Sequence, residues 1–332
     1  MPSCLPHPRL FLHVLVIVAS AQKHDHLLVL LSLLFVMAAF RRYSRRMTRR
    51  RPRRGRRVIR RRNLRFRRSF RRARVSRRRI LNISSQKKSD TRMPFSNINN
   101  PEDPPTNTVA TLQGGIRYII PHLPTAMDKN HGGSSTGDDL ENYRGTSTVY
   151  MRGYKENIRF LINNGNSWLW RRVCFTIKGA RIYDFVTSTN PLYLESSPNG
   201  WTRSITNANS TLVGEAILEV LFQGSEGQDW NDVFTAPVDT NSVNLKHDST
   251  RVFRGGNGES RIHMAKMWHP MNANFVYDDK ENGNEATESV FHSEGRQGMG
   301  DYYIVDFLTC SNTSSTNTLQ FIPTGRLYWH ER

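Results

Sequence analysis

The chain has 332 residues, a formal charge of +20 and three cysteines, Cys4, Cys174 and Cys310, too far apart in sequence to support a disulfide framework or a zinc site. The charge is unevenly placed. Residues 41–92 carry 26 Lys and Arg against one acid, Asp90, whereas residues 93–332 carry 20 against 26. Folding alone gives no reason to concentrate charge in this way, so a mildly acidic body with a strongly basic arm points to a polyanionic partner.

Residues 1–40 hold two apolar runs, 10–21 and 27–40, separated by QKHDH. Each falls short of the roughly 20 residues that span a bilayer. The first ends in Ala19-Ser20-Ala21, which resembles a signal-peptide cleavage site. Three readings stay open for this apolar extension: a secretory signal, a membrane anchor, or an upstream extension of the reading frame. Met47, which opens the densest basic stretch, is then a plausible start.

Residues 41–92 form the arm. From 41 to 79, 23 of 39 residues are arginine, interrupted by single Gly, Pro, Ser or apolar residues. No helical or strand period survives, and mutual repulsion predicts disorder until the charge is neutralised. Arginine is permanently charged, forks onto phosphate oxygens and stacks on bases. The candidate nucleic-acid-binding residues are Arg49, Arg50, Arg51, Arg53, Arg54, Arg56, Arg57, Arg60, Arg61, Arg62, Arg65, Arg67, Arg68, Arg71, Arg72, Arg74, Arg77, Arg78 and Arg79. Phe66 and Phe70 are interleaved with them as candidate stacking partners for unpaired bases. No regular spacing reads a base sequence, so binding is expected to be sequence-tolerant and strongly salt-dependent. A nuclear import signal or an anionic-membrane patch needs far fewer basic residues, about 5–8. Import can still be a second use, with nuclear import receptors as partners.

Residues 80–108 turn Ser/Asn/Pro-rich, and PEDPP at 101–105 reads as a linker into a body spanning 93–332. Beyond it, runs of β-branched and aromatic residues recur at 116–120, 147–152, 157–162, 168–177, 243–246, 251–254, 261–268, 273–277, 302–309 and 318–329, with Gly/Asn/Ser/Asp-rich loops between them. In DYYIVDFLT (301–309) apolar residues fall on both faces, as in a strand covered on both sides. Leu212/Val213, Ala216/Ile217 and Val220/Leu221 repeat every four residues after Ser210 and Thr211. They predict one amphipathic helix, ended near Gly224. The fold expected is all-β: a β-sandwich of about eight strands, with a jelly roll as the leading arrangement, one short inserted helix and a disordered Arg-rich arm ahead of it.

Catalytic signals are weak, and no enzyme is expected. The glycine clusters 255–258 and 295–300 match neither phosphate-binding nor dinucleotide-binding spacing and read as turns. His263 and His269 lack a carboxylate at ligand spacing and read as core or interface residues. Asp138-Asp139-x-Glu141 and Asp278-Asp279-x-Glu281 could coordinate calcium between subunits, but solvated loop carboxylates are the simpler reading. LEVLFQG (218–224) resembles a picornaviral main-protease site, although its helical period makes a native helix simpler. Asn82, Asn209 and Asn312 begin sequons, which matter only in a secreted chain. Most of the six tryptophans are expected in the core or at interfaces. No metal, cofactor or small-molecule substrate is implied.

An arginine-rich arm ahead of a β body resembles the capsid proteins of small circular single-stranded DNA viruses. KMWHPMNANFVYDDK (266–280), GDYYIVD (300–306) and GRLYWHER (325–332) are similar to genomovirus capsid proteins. The resemblance covers about residues 47–332, while the apolar residues before Met47 depart from it. It implies a single jelly-roll subunit closing into an icosahedral (T=1) shell of sixty copies, with the arm on a circular single-stranded DNA genome. It also implies a place in the virion and, during assembly, in the host nucleus. Sixty arms would carry roughly 1,300–1,500 positive charges, the scale of a genome of about a thousand to a few thousand nucleotides. Two alternatives belong to other classes: a cellular nucleic-acid-binding β-sandwich with a protamine-like tail, and a secreted or tethered jelly-roll lectin. The lectin reading leaves the arm unexplained.

Overall fold

The computed structural model describes residues 76–129, 142–256, 258–283 and 285–332, all within the compact unit Ala73–Arg332. Eight strands build the sandwich: β1 (Gln86–Arg92), β2 (Tyr118–His122), β3 (Thr148–Ile162), β4 (Ser167–Ile177), β5 (Asn244–Arg254), β6 (Arg261–Val276), β7 (Asp301–Cys310) and β8 (Thr318–Glu331). One sheet has the order β1-β8-β3-β6 and the other β2-β7-β4-β5, with every neighbouring pair antiparallel. Successive strands change sheets at every step except β4 to β5, the double Greek-key order of a jelly roll. The all-β sandwich with a small helix is thus the fold of the body. Ala110–Gln113 adds to β8, and Pro94–Ser96, Gly200–Ile205 and Leu194–Ser196 make a small three-stranded sheet beside the sandwich.

Alternation decides what each sheet faces. In β3, Val149, Met151, Tyr154, Ile158, Phe160 and Ile162 point inward, and β8 answers with Leu319, Phe321, Leu327 and Trp329. Phe160 meets Trp170 of the opposite sheet at 5.0 Å between ring centroids and Phe321 of its own sheet at 5.5 Å. The second sheet is covered on both sides. Its outer residues include Val173, Phe175, Tyr303 and Phe307. Phe175 stacks on Tyr303 at 5.3 Å, and Phe307 meets Phe222, which follows the helix α2 (Leu212–Leu221). Thr211 caps that helix, its hydroxyl accepting from the Gly214 amide at 3.3 Å, and Val213, Ile217, Val220 and Leu221 are its buried face. LEVLFQG is therefore helix as far as Leu221, and Gly224 then takes the left-handed conformation, φ +74°.

Several expected boundaries move. The runs 147–152 and 157–162 are one strand, because Glu156 between them faces inward to buried arginines and Gly153 lies under the Trp268 ring. The runs 261–268 and 273–277 are likewise joined through Pro270. It is tolerated because β6 is an edge strand and the register shifts between Pro270 and Ala273. The arm does not run to residue 92. Arg77–Ser84 is a helix, α1, and Gln86–Arg92 is β1, paired along its whole length with β8. The inward residues of β1 are Lys88, Asp90 and Arg92, so no apolar alternation marks it. Lys88 instead pairs with Glu331 at 3.1 Å, and Arg92 reaches Asp90 at 3.2 Å and donates to the Ala126 carbonyl at 2.8 Å. PEDPP consequently lies inside the fold, held by the Asn97 amide donating to the Asp103 carbonyl at 2.9 Å.

Candidate functional site

Most of the expected nucleic-acid-binding residues, from Arg49 to Arg74 with Phe66 and Phe70, lie outside the described residues. Arg77, Arg78 and Arg79 open α1 rather than continuing a chain without period. Ser76 caps the helix by accepting from the Arg79 amide at 3.3 Å, and Ile80, Leu81 and Ile83 follow as helix-compatible residues.

Between the sheets sits a closed charge cluster. Glu156 of β3 accepts from Arg203 Nε at 2.6 Å and pairs with Arg172 of β4. Asp306 of β7 accepts from Arg172 Nε at 2.7 Å, Arg203 Nη2 at 2.8 Å and Trp170 Nε1 at 2.7 Å. All four charged side chains are fully buried, with two charges of each sign. Burial alone would raise the Glu156 carboxyl, but Arg172 and Arg203 outweigh it and hold the group well below the usual carboxylate range. His269, beside Arg172, is pushed down to about 4 by burial and by that guanidinium. The four charged side chains are fully buried and every arginine in the cluster is paired, so its chemistry is structural: it ties β3 of one sheet to β4 and β7 of the other.

The open face of the β1-β8-β3-β6 sheet is different. Its outward positions carry Lys87 on β1, Arg152, Lys155 and Arg159 on β3, Lys266 on β6 and Arg326 on β8, and no acid. The acids on these strands, Asp90, Glu156 and Glu331, all point inward. Tyr150, Trp268 and Tyr328 share the face. In register, Thr91, Arg326, Lys155 and Trp268 make one row across four strands, and Lys87, His330, Tyr150 and Asn274 make another. Trp268 is 48% exposed, the one tryptophan not buried. A Cβ on Gly153 would come within 2.7 Å of its ring, so the indole lies directly over the β3 backbone. Its edge meets Tyr328 at 5.8 Å, and the Arg326 guanidinium lies 5.6 Å from the Tyr328 ring. A shallow groove of about 400 Å³ runs between these side chains. Burial, with Arg152 and Lys87 adding to it, pushes His330 below the ordinary imidazole range.

Other candidates resolve into structure. His263 lies half-buried against Phe253 and the Arg254 carbonyl, and His269 is a core residue. Asp279 is not a solvated loop carboxylate: it takes both Arg144 terminal nitrogens, at 2.7 and 2.9 Å, and Arg144 is fully buried over Tyr277. Asp278 pairs with Lys280, and among the described residues no cluster of His, Cys, Asp and Glu could hold a metal ion. Asp138, Asp139 and Glu141 lie outside the described residues. The glycines of 255–258 turn β5 into β6, and those of 295–300 precede β7. Cys174 and Cys310 are buried free thiols. Of the six tryptophans, Trp168, Trp170, Trp201, Trp230 and Trp329 are core residues.

The basic face was not legible in the sequence. Its residues come from four strands separated by up to about 240 positions, and only the register shows that they share one side. The signal available was the run of basic and aromatic residues at alternate positions in 150–159 and 326–330. Comparison of the chain with protein-family models and with curated proteins finds no match.

Proposed function

We propose that the chain is a structural capsid subunit, not an enzyme, that closes into a sixty-copy icosahedral shell and packages circular single-stranded DNA on its arginine-rich arm. The observation that carries this reading is the pairing of an eight-strand jelly-roll body with 23 arginines in the 39 residues 41–79. The resemblance to genomovirus capsid proteins supports it, and its tracts fall on β6, β7 and β8, the last three strands of the sandwich in chain order. The charge division supplies an assembly logic. Like-charged arms repel until nucleic acid neutralises them, which couples shell closure to packaging. The virion, and the host nucleus reached through import receptors, are the corresponding locations.

The test is negative-stain microscopy and light scattering of the purified full-length protein with a circular single-stranded DNA. Uniform particles of many subunits that protect the DNA from nuclease are expected. A species of one or two chains under all conditions of salt and DNA would overturn the reading in favour of a nucleic-acid-binding module with a protamine-like tail.

A further inference from the structure

We infer that the open face of the β1-β8-β3-β6 sheet is a second binding surface for single-stranded nucleic acid, with bases stacking on Trp268 and Tyr328 and phosphates lying on Lys87, Lys155 and Arg326. The inference rests on the reading above for its class of ligand, but it places binding on the folded body as well as on the arm.

Three observations converge. The first is charge. The body from residue 86 onward carries 27 acids against 23 Lys and Arg, yet the outward positions of these four strands hold six Lys and Arg and no acid. Arg326 and Lys155 are direct cross-strand partners, an arrangement that is unfavourable in an isolated sheet. An anion laid across the row removes that repulsion. The second is the aromatic platform. Trp268 is supported from below by the Gly153 backbone and from the side by Tyr328, which leaves half of the indole open to solvent. Stacking on such a platform is available to unpaired bases, whereas a duplex hides its base faces. The third is coverage. On the opposite sheet α2 and its flanking loops cover the outer side of β4 and β7, while no described element covers this one. A flat, basic, aromatic surface without a specific hydrogen-bonding pocket predicts sequence-tolerant binding.

The chain itself supplies a probe. All six tryptophans lie at or beyond residue 168, so the arm has none, and only Trp268 is exposed. Titrating the full-length protein with oligo(dT) should quench tryptophan emission, and Trp268→Phe should abolish most of the quench while binding, followed by anisotropy of a labelled oligonucleotide, changes less than about twofold. In the Lys155→Gln/Arg326→Gln variant, the salt slope of the quench should fall by about 1.4, the share of two phosphate contacts on a single strand. Equal quenching by polyglutamate would overturn base stacking. Oligonucleotide binding without any quench would overturn the second surface and leave the arm and the capsid reading intact. Loss of particles in the Lys155→Gln/Arg326→Gln variant, with no quench in the parent, would assign the face to contacts between subunits and also overturn the inference. Quenching in a protein that never forms particles would support the surface and remove the shell.

Discussion

Glu156 shows how a polar residue can decide the interior of a β-sandwich. Two fully buried guanidiniums and two fully buried carboxylates neutralise one another, and each guanidinium reaches both acids. Such clusters gain little over apolar packing when intact, but they cost heavily when one member is lost, because the remaining charge stays buried. Glu156→Gln leaves Arg172 and Arg203 facing Asp306 alone and is expected to lower unfolding stability by about 3–5 kcal/mol in urea titrations. The double variant Glu156→Gln/Arg203→Met removes one charge of each sign. Its loss should be smaller than the sum of the single losses by about 1 kcal/mol or more, the signature of direct coupling. None of this was readable at the level of residues. Glu156 looked like part of a polar break between two strand runs, and its partners Arg172 and Arg203 lie 16 and 47 positions away.

At the scale of elements, legibility followed side-chain pattern. DYYIVDFLT marked β7 as covered on both faces, and it is, by the opposite sheet on one side and the α2 layer on the other. The four-residue repeat marked α2. β1 escaped notice because its buried side is Lys88, Asp90 and Arg92, whose burial depends on ion pairs with distant residues and not on hydrophobicity. Helix α2 also carries a residue whose reason is tertiary. A glycine-to-alanine change inside a helix ordinarily stabilises by about 1 kcal/mol. At Gly214 the new Cβ would sit 1.9 Å from the Ala208 carbonyl oxygen, a contact with backbone that cannot swing away. Gly214→Ala is therefore expected to destabilise, by about 1–3 kcal/mol as in overpacked cores, with a lowered Tm as the readout.

For the whole molecule, buried titratable groups couple the fold to pH. Burial, with nearby guanidiniums, pushes His122 well below its ordinary range and His269 to about 4. The unfolded chain then binds protons below about pH 6.5 that the folded one does not, so stability rises with pH from about 5 to 6.5. Asp301 works in the opposite sense. Burial raises it to about 7, so the folded chain holds a proton that the unfolded one has released, and stability falls as pH climbs toward 7. Burial also lowers His247, His292 and His330 and raises Asp90, so five histidines against two aspartates leave stability rising with pH across this window. Asp301→Asn should steepen that rise by about one further proton in urea titrations between pH 5 and 6.5. An unchanged slope would show that Asp301 does not hold its proton.

The division of charge between arm and body, the all-β class, β7 and α2 follow from the sequence by itself, because each is a local pattern of charge or apolar spacing. The order of strands, the inward turn of Glu156, the recruitment of Gln86–Arg92 into the sheet and the acid-free face around Trp268 were decided only in the tertiary structure. Each depends on register between segments far apart in the chain, and a side chain's partner across a sheet leaves no trace in its own neighbourhood.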